Sequence, residues 1–160
     1  MSRTKRVLRS AYADALDALT RRGHAEDELR RVLTRRGHEE DSVSEALSRL
    51  VSQGLLDDTS FALAFARSRA ENGGMGARRI AAELTRRGVD RHVAAAAIAM
   101  VFAQESFDET ALMERAAARK LRGMTAVPTD VRRRRLLAFL IRRGYGPSQA
   151  SATANHLVPD

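Results

Sequence analysis

The chain has no cysteine, no tryptophan and only three prolines, and aromatic residues make up 4% of it. Without cysteine there is neither a disulfide framework nor a thiolate metal site. The four histidines, His24, His38, His92 and His156, show no metal-ligand spacing. No Ser/His/Asp set stands out, so neither an enzyme nor a cofactor or metal requirement is expected. No apolar run approaches membrane-spanning length. The basic start, Met1 to Arg9, is followed by no apolar core of a secretory signal. A cytoplasmic protein without membrane contact is therefore expected. Lysine is also scarce: of 28 cations two are lysines, Lys5 and Lys120, and 26 are arginines.

What remains is an Ala- and Leu-rich chain of 160 residues, 44% hydrophobic, with a net charge of +8 and a pI near 11.2. Ala and Leu favour closely packed helices over sheets. A basic balance favours acidic partners such as nucleic acid, an anionic membrane or an acidic protein. A GC-rich genome raises Arg and Ala together, so the positions of the arginines say more than their number.

One pattern organises those positions. The pentapeptide Leu-x-Arg-Arg-Gly occurs four times, at Leu19–Gly23, Leu33–Gly37, Leu84–Gly88 and Leu140–Gly144. The last three copies start 51 and 56 residues apart, and an apolar residue (Leu50, Val101, Leu157) follows each by 17. A period of that size points to repeated supersecondary units. Four matches of so short a motif in an Arg-rich chain are also partly within reach of chance.

The spacing predicts an all-α, elongated array of three tandem three-helix repeats, about nine helices. The units are 1–56 with a basic N-terminal tail, 57–106 and 107–160. In the first, helices are expected over roughly Val7–Arg22, Glu26–Arg36 and Asp41–Gln53. Leu29, Val32, Leu33, Val43, Leu47 and Leu50 face inward at steps of three and four. Gly23, Gly37 and Gly54 follow helix ends, where a left-handed residue is favoured. The second unit opens at the capping pair Asp57-Asp58 and continues after Gly73-Gly74-Met75-Gly76 with a helix over Ala77–Arg87 and one capped by Asp90. The third starts near Asp108, has a helix over Thr129–Arg143 behind Pro128, and closes with one opening at Pro147.

A helical wheel centred on the repeated leucine puts the residue five before it and the residue two after it on one outward face. Those pairs are Arg79/Arg86 and Arg135/Arg142; in the first unit they are Glu28 and Arg35, with Arg31 nearby. An ordinary solvated helix face would carry a similar pattern. Arg132, Arg135, Phe139, Arg142 and Arg143 share one arc, away from Leu136, Leu137, Leu140 and Ile141. An outward Phe139 among guanidiniums suits a partner surface or a stacking platform; packing against a neighbouring unit is the plainer alternative. The glycine turn before Arg78 and Arg79 offers a helix N-terminus to phosphate, but without Gly-Lys-Ser/Thr it is no nucleotide loop.

The run Gly54-Leu55-Leu56-Asp57-Asp58-Thr59-Ser60-Phe61-Ala62 resembles the central signature of the RecX family, bacterial regulators of the RecA recombinase. Arg67 and Arg69 follow at the expected place. Gly74-Met75-Gly76-Ala77-Arg78-Arg79-Ile80 and Glu83 to Val89 are similar to the family's glycine turn and second helix, and Glu28 to Gly37 to its first unit. The likeness extends from about Val7 to Leu157. Ala77 stands where the family usually has proline, and arginines at 119 and 132–135 replace a segment often rich in lysine.

The resemblance implies a negative modulator that binds the RecA–DNA filament and suppresses its recombinase, ATPase and coprotease activities. Partner-binding candidates are Arg31, Arg35, Arg67, Arg69, Arg78, Arg79, Arg86, Arg132, Arg135, Phe139, Arg142 and Arg143. Single- or double-stranded DNA is a further candidate partner, and a monomer is expected. Two other readings stay open: a direct DNA-binding regulator, since three-helix units resemble helix-turn-helix modules, and a helical scaffold for an acidic protein.

Overall fold

A computed structural model describes residues 9–103 and 108–159. Among them it contains nine α-helices and no strand: α1 (Ala11–Arg21), α2 (Glu26–Arg35), α3 (Glu40–Ser52), α4 (Asp58–Glu71), α5 (Ala77–Arg86), α6 (Arg91–Phe102), α7 (Glu109–Arg122), α8 (Thr129–Arg142) and α9 (Pro147–Leu157). This is an all-α helical repeat. The part of the first expected helix before Ala11 reaches into residues 1–8, outside the described residues.

Each run of three helices surrounds a small core. Leu29, Leu33, Val43, Leu47, Leu50 and Leu56 fill the first. The second is built largely from alanines, Ala62, Ala66 and Ala70 of α4 facing Ala94 and Ala97 of α6, around Ile80, Leu84 and Val101. Small side chains let α4 and α6 approach closely, which explains how an aromatic-poor chain fills its interior. Met113, Leu136, Leu140, Tyr145 and Val158 make the third. The middle core also takes in Ala25 from before α2 and Leu112 from α7. The cores therefore continue across the joints between units.

The repeated pentapeptide is a helix terminator. In its last three copies the leucine is fully buried and the glycine is left-handed, with φ of 91°, 89° and 90° at Gly37, Gly88 and Gly144. The glycine N–H donates three residues back, and the next residue's N–H donates to the leucine carbonyl: His38 to Leu33, Val89 to Leu84, Tyr145 to Leu140. This six-to-one closure is the Schellman motif. The copy at Leu19–Gly23 differs. Gly23 does not have the expected left-handed φ; α1 ends instead at Arg22 in extended conformation, and the Phe61 ring lies against Gly23.

Other expectations shift by a residue or a class. Val32, Leu137 and Leu157 are half-buried, and Val158 fills the last core in place of Leu157. Ile141 faces outward, 45% exposed. Tyr145, unremarked in the pattern, is the largest fully buried side chain.

The outer end of the first unit is polar. Asp14 occupies the helix position held by Phe65 in α4, and its carboxylate meets His38 at 2.8 Å and Arg36 at 3.5 Å. The His38 hydrogen bond, with the Arg36 and Arg9 charges, outweighs burial and holds this carboxyl below its usual range. Among the described residues nothing lies within 4 Å of a Cβ built on Gly37.

Candidate interaction surface

The joints are where the repeated residues acquire their geometry. A pair of adjacent acids opens the first helix of the second and third units. Asp57 caps its own α4 through the N–H of Thr59 at 2.9 Å and of Ser60 at 3.3 Å. Asp58 turns the other way and accepts from the N–H of Glu26 at 2.8 Å, at the start of α2. Asp108 likewise caps α7 through Thr110, and Glu109 accepts from the N–H of Ala77 at 3.0 Å, at the start of α5. Both cross-unit caps span 32 residues. Each acid satisfies an orphan N–H at a helix start that the chain does not cap locally. The helix start after the glycine turn is therefore not an open phosphate site: Gly76 N–H donates to the Arg143 carbonyl and Ala77 N–H to Glu109.

The terminator glycines complete the joints. Gly88 packs against Asp27, and Gly144 against the backbone of Arg79, each too close for a side chain. An arginine of the preceding unit reaches the helix-end carbonyl beside each: Arg31 to Arg86 at 3.1 Å and Arg79 to Arg142 at 2.8 Å. Helix-end carbonyls carry partial negative charge, which a guanidinium complements.

The two joints differ in charge. At the first, Glu28 takes both Arg22 nitrogens at 3.0 and 2.9 Å and Arg87 at 2.7 Å. Burial pushes the Glu28 carboxyl up, but the Arg22 hydrogen bonds and the Arg87 and Arg22 charges win and hold it below its usual range. His24 is buried beside it, 3.3 Å from the carboxylate. Burial, helped by the Arg22 and Arg87 charges, pulls its pKa down against the opposing pull of Glu28. Arg87 and Arg69 stack on the Phe65 ring, each 4.9 Å from its centre. Glu28 is thus a joint residue, not the inert counterpart of Arg79 that its wheel position suggests.

At the second joint cations accumulate. Arg78, Arg79, Arg86 and Arg142 line a groove of about 450 Å³ between α5 and α8, with Ile141 and Gly144. Glu83, buried at its edge, holds Arg79 at 3.2 Å and Arg69 at 3.8 Å. On the other flank Arg143 reaches the Gly73 carbonyl, and the buried Tyr145 hydroxyl donates to the Gly74 carbonyl at 3.0 Å. Burial, with the Glu109 charge, pushes the Tyr145 pKa up to about 12 against the pull of Arg143, so the phenol keeps the proton this bond needs.

Ten of the twelve sequence-based candidates thus fall into three groups. Arg78, Arg79, Arg86 and Arg142 come together. Arg31 and Arg69 are bound into joints. Arg35, Arg67 and Arg135 are exposed and Arg132 half-buried, and none lines the α5–α8 groove. Phe139 is not outward: it is half-buried on the third core, beneath Lys120 at 5.6 Å and Arg143 at 5.0 Å. Arg133 closes the unit by donating to the Val158 carbonyl at 2.9 Å. Sequence reasoning keyed to the leucine motif passed over Arg115, Arg119 and Arg122 on α7, although their spacing of four and three is itself a helical signal.

The fold and its joints define a tandem three-helix repeat protein whose second joint gathers arginines from two units. The chain matches the model of the first three-helix domain of RecX over residues 11–50 and that of the second over residues 57–98. It is 39% identical to the regulatory protein RecX of Mycobacterium sp. (strain KMS) over 88% of this chain and 77% of that protein. It is 32% identical to that of Pelodictyon phaeoclathratiforme over 92% of this chain and 89% of that one. Its fold is similar to the crystal structure of RecX from Lactobacillus salivarius, with a TM-score of 0.73 at 18% identity over 92% and 94% of the two chains. A second crystal structure, of a regulatory protein RecX, has a TM-score of 0.76 at 21% identity, covering 92% of this chain and 70% of the other. The chain belongs to the RecX family, whose members compared here are named regulatory proteins. Among the described residues no helix is long and apolar enough to cross a membrane.

Proposed function

We propose that this chain is a negative modulator of RecA recombinase, docking on the RecA–DNA filament through the groove between α5 and α8. The carrying observation is that four arginines from two units converge there beside the exposed Ile141. A cationic groove with an exposed apolar residue in its lining suits an acidic protein surface. Membership of a family of regulatory proteins supports the same reading. The proposal takes the three units as 1–56, 57–106 and 107–160, acting together in one monomer in the cytoplasm.

The test is RecA ATPase on single-stranded DNA, titrated with this protein. Arg86→Ala with Arg142→Ala should raise the half-inhibitory concentration at least ~10-fold, the equivalent of one lost charge-assisted contact. Arg135→Ala, on α8 but outside the groove, should change it little. Equal inhibition by the double variant and the parent would place docking elsewhere.

A further inference from the structure

We propose that the flank of the second joint formed by α7 is a track for the phosphodiester backbone of nucleic acid. It is separate from the groove between α5 and α8. Arg115, Arg119 and Arg122 stand at i, i+4 and i+7 on α7, on one helix face. They line a groove of about 490 Å³ with Glu71, Gly74, Leu112 and Ala118. Through Arg119 it runs into a second groove of about 360 Å³, where Lys120 and Arg143 join. Five cations thus face one carboxylate, Glu71, among the lining residues.

Three further observations give the row its meaning. All three arginines are exposed, and among the described residues no carboxylate lies within 4.0 Å of their nitrogens. The scaffold does not need them. The aligned positions on α4 are Ala64, Ser68 and Glu71, and on α1 they are Ala13, Asp17 and Thr20. The row is therefore particular to the third unit, and three like charges that no described carboxylate pairs on one face call for an external anion.

The chemistry of the lining selects the anion. Leu112 is buried beneath the groove, and Phe139 sits half-buried under its own cations, so among the described residues this flank offers no exposed apolar anchor. Protein interfaces rely on such anchors; binding to nucleic-acid backbone does not, because guanidiniums pair with phosphates and release counterions. The rise of the helix sets the three arginines about 6 and 4.5 Å apart along its axis. A row of this kind meets a repeating line of charges. Ala118, small and exposed in the same lining, leaves the surface open to an extended strand.

The experiment uses the full chain, a fluorescein-labelled 30-mer of oligo-dT and a duplex of the same length, with anisotropy read over a sodium chloride series. No RecA is present, so failure here is distinct from failure of the filament reading. Arg115→Gln, Arg119→Gln and Arg122→Gln together should lower the log–log salt slope on oligo-dT by about 2, from ~0.7 per phosphate contact. Ala118→Glu, which sets a carboxylate in the same groove, should weaken binding without removing any arginine. Arg86→Gln with Arg142→Gln should leave the slope unchanged. Binding of either strand form with these responses supports the phosphate track. No binding by the parent at low salt overturns it. So does an unchanged slope in the triple variant, or displacement of the oligonucleotide by polyglutamate as readily as by unlabelled oligo-dT, which would make the occupant an acidic protein.

Discussion

Replacing Gly144 by alanine tests the joint against a control within the same chain. Gly37 and Gly144 end equivalent helices at nearly identical φ, 91° and 90°. A Cβ in that region costs about 1–2 kcal/mol, partly offset by about 0.4–1 kcal/mol from the lost freedom of glycine in the unfolded chain. At Gly37 that is the whole effect, because no described residue lies within 4 Å of the added carbon. At Gly144 the same carbon would sit 2.4 Å from the Arg79 nitrogen and 2.5 Å from the Arg79 Cβ. Backbone has to move, adding about 1–3 kcal/mol of overpacking. The shift also pulls on the bond from Arg79 to the Arg142 carbonyl and on that from Gly76 to the Arg143 carbonyl. Urea unfolding followed by circular dichroism should therefore show Gly144→Ala less stable than Gly37→Ala by about 1–3 kcal/mol, or ~2–12 °C in Tm at ~2–4 °C per kcal/mol. Equal destabilisation of the two would refute the reading of this glycine as a joint residue.

The cross-unit caps and the buried histidine supply further tests. Glu109→Ala should cost about 1 kcal/mol and speed hydrogen exchange at the Ala77 amide, whereas Asp108→Ala should act on the start of α7; an Ala77 amide as protected as in the parent would count against the cap. Because the folded pKa of His24 is depressed, the stability linked to it is present above the unfolded value of about 6.5 and is lost as pH falls through the folded value, at up to about 1.4 kcal/mol per pH unit. Unfolding free energies measured from pH 7 to 5 should decline in the parent and less in His24→Gln; identical slopes would remove His24 as the cause.

The helices and most of the core were legible in the sequence because spacings of three and four, left-handed glycines and capping acids act locally. Leu33, Leu84 and Leu140 are buried as their positions require. What escaped were residues whose partners lie in another unit. Asp58 reads as a local cap beside Asp57, and only the packing of α4 against α2 turns it to Glu26. Glu28 reads as a surface acid until Arg87 reaches it across 59 residues. Phe139 fell on an outward arc of α8, but α7 lies over that arc and Lys120 and Arg143 cover the ring. A helical wheel knows its own helix and not its neighbour. For the same reason the column of Arg79, Arg86, Arg135 and Arg142 survives only in part: α8 meets α5 at its C-terminal end, which brings Arg142 into the groove and leaves Arg135 outside it.

The polar end built from Asp14, His38 and Arg36 bears on how chains of this kind can lengthen. The joint has a direction: one partner offers a turned acid and a terminator glycine, and the other a bare helix start. In the first unit no described residue lies within 4 Å of a Cβ on the glycine, and the aromatic position holds an acid tied to a histidine, so a unit joined there would meet charge where the other joints have Phe65 or Ala116. The middle unit carries both halves of the joint. A gene duplication that copied residues between the first and third units would therefore come with matched ends already written into it. Insertion at the centre is thus one route by which heredity can extend this architecture.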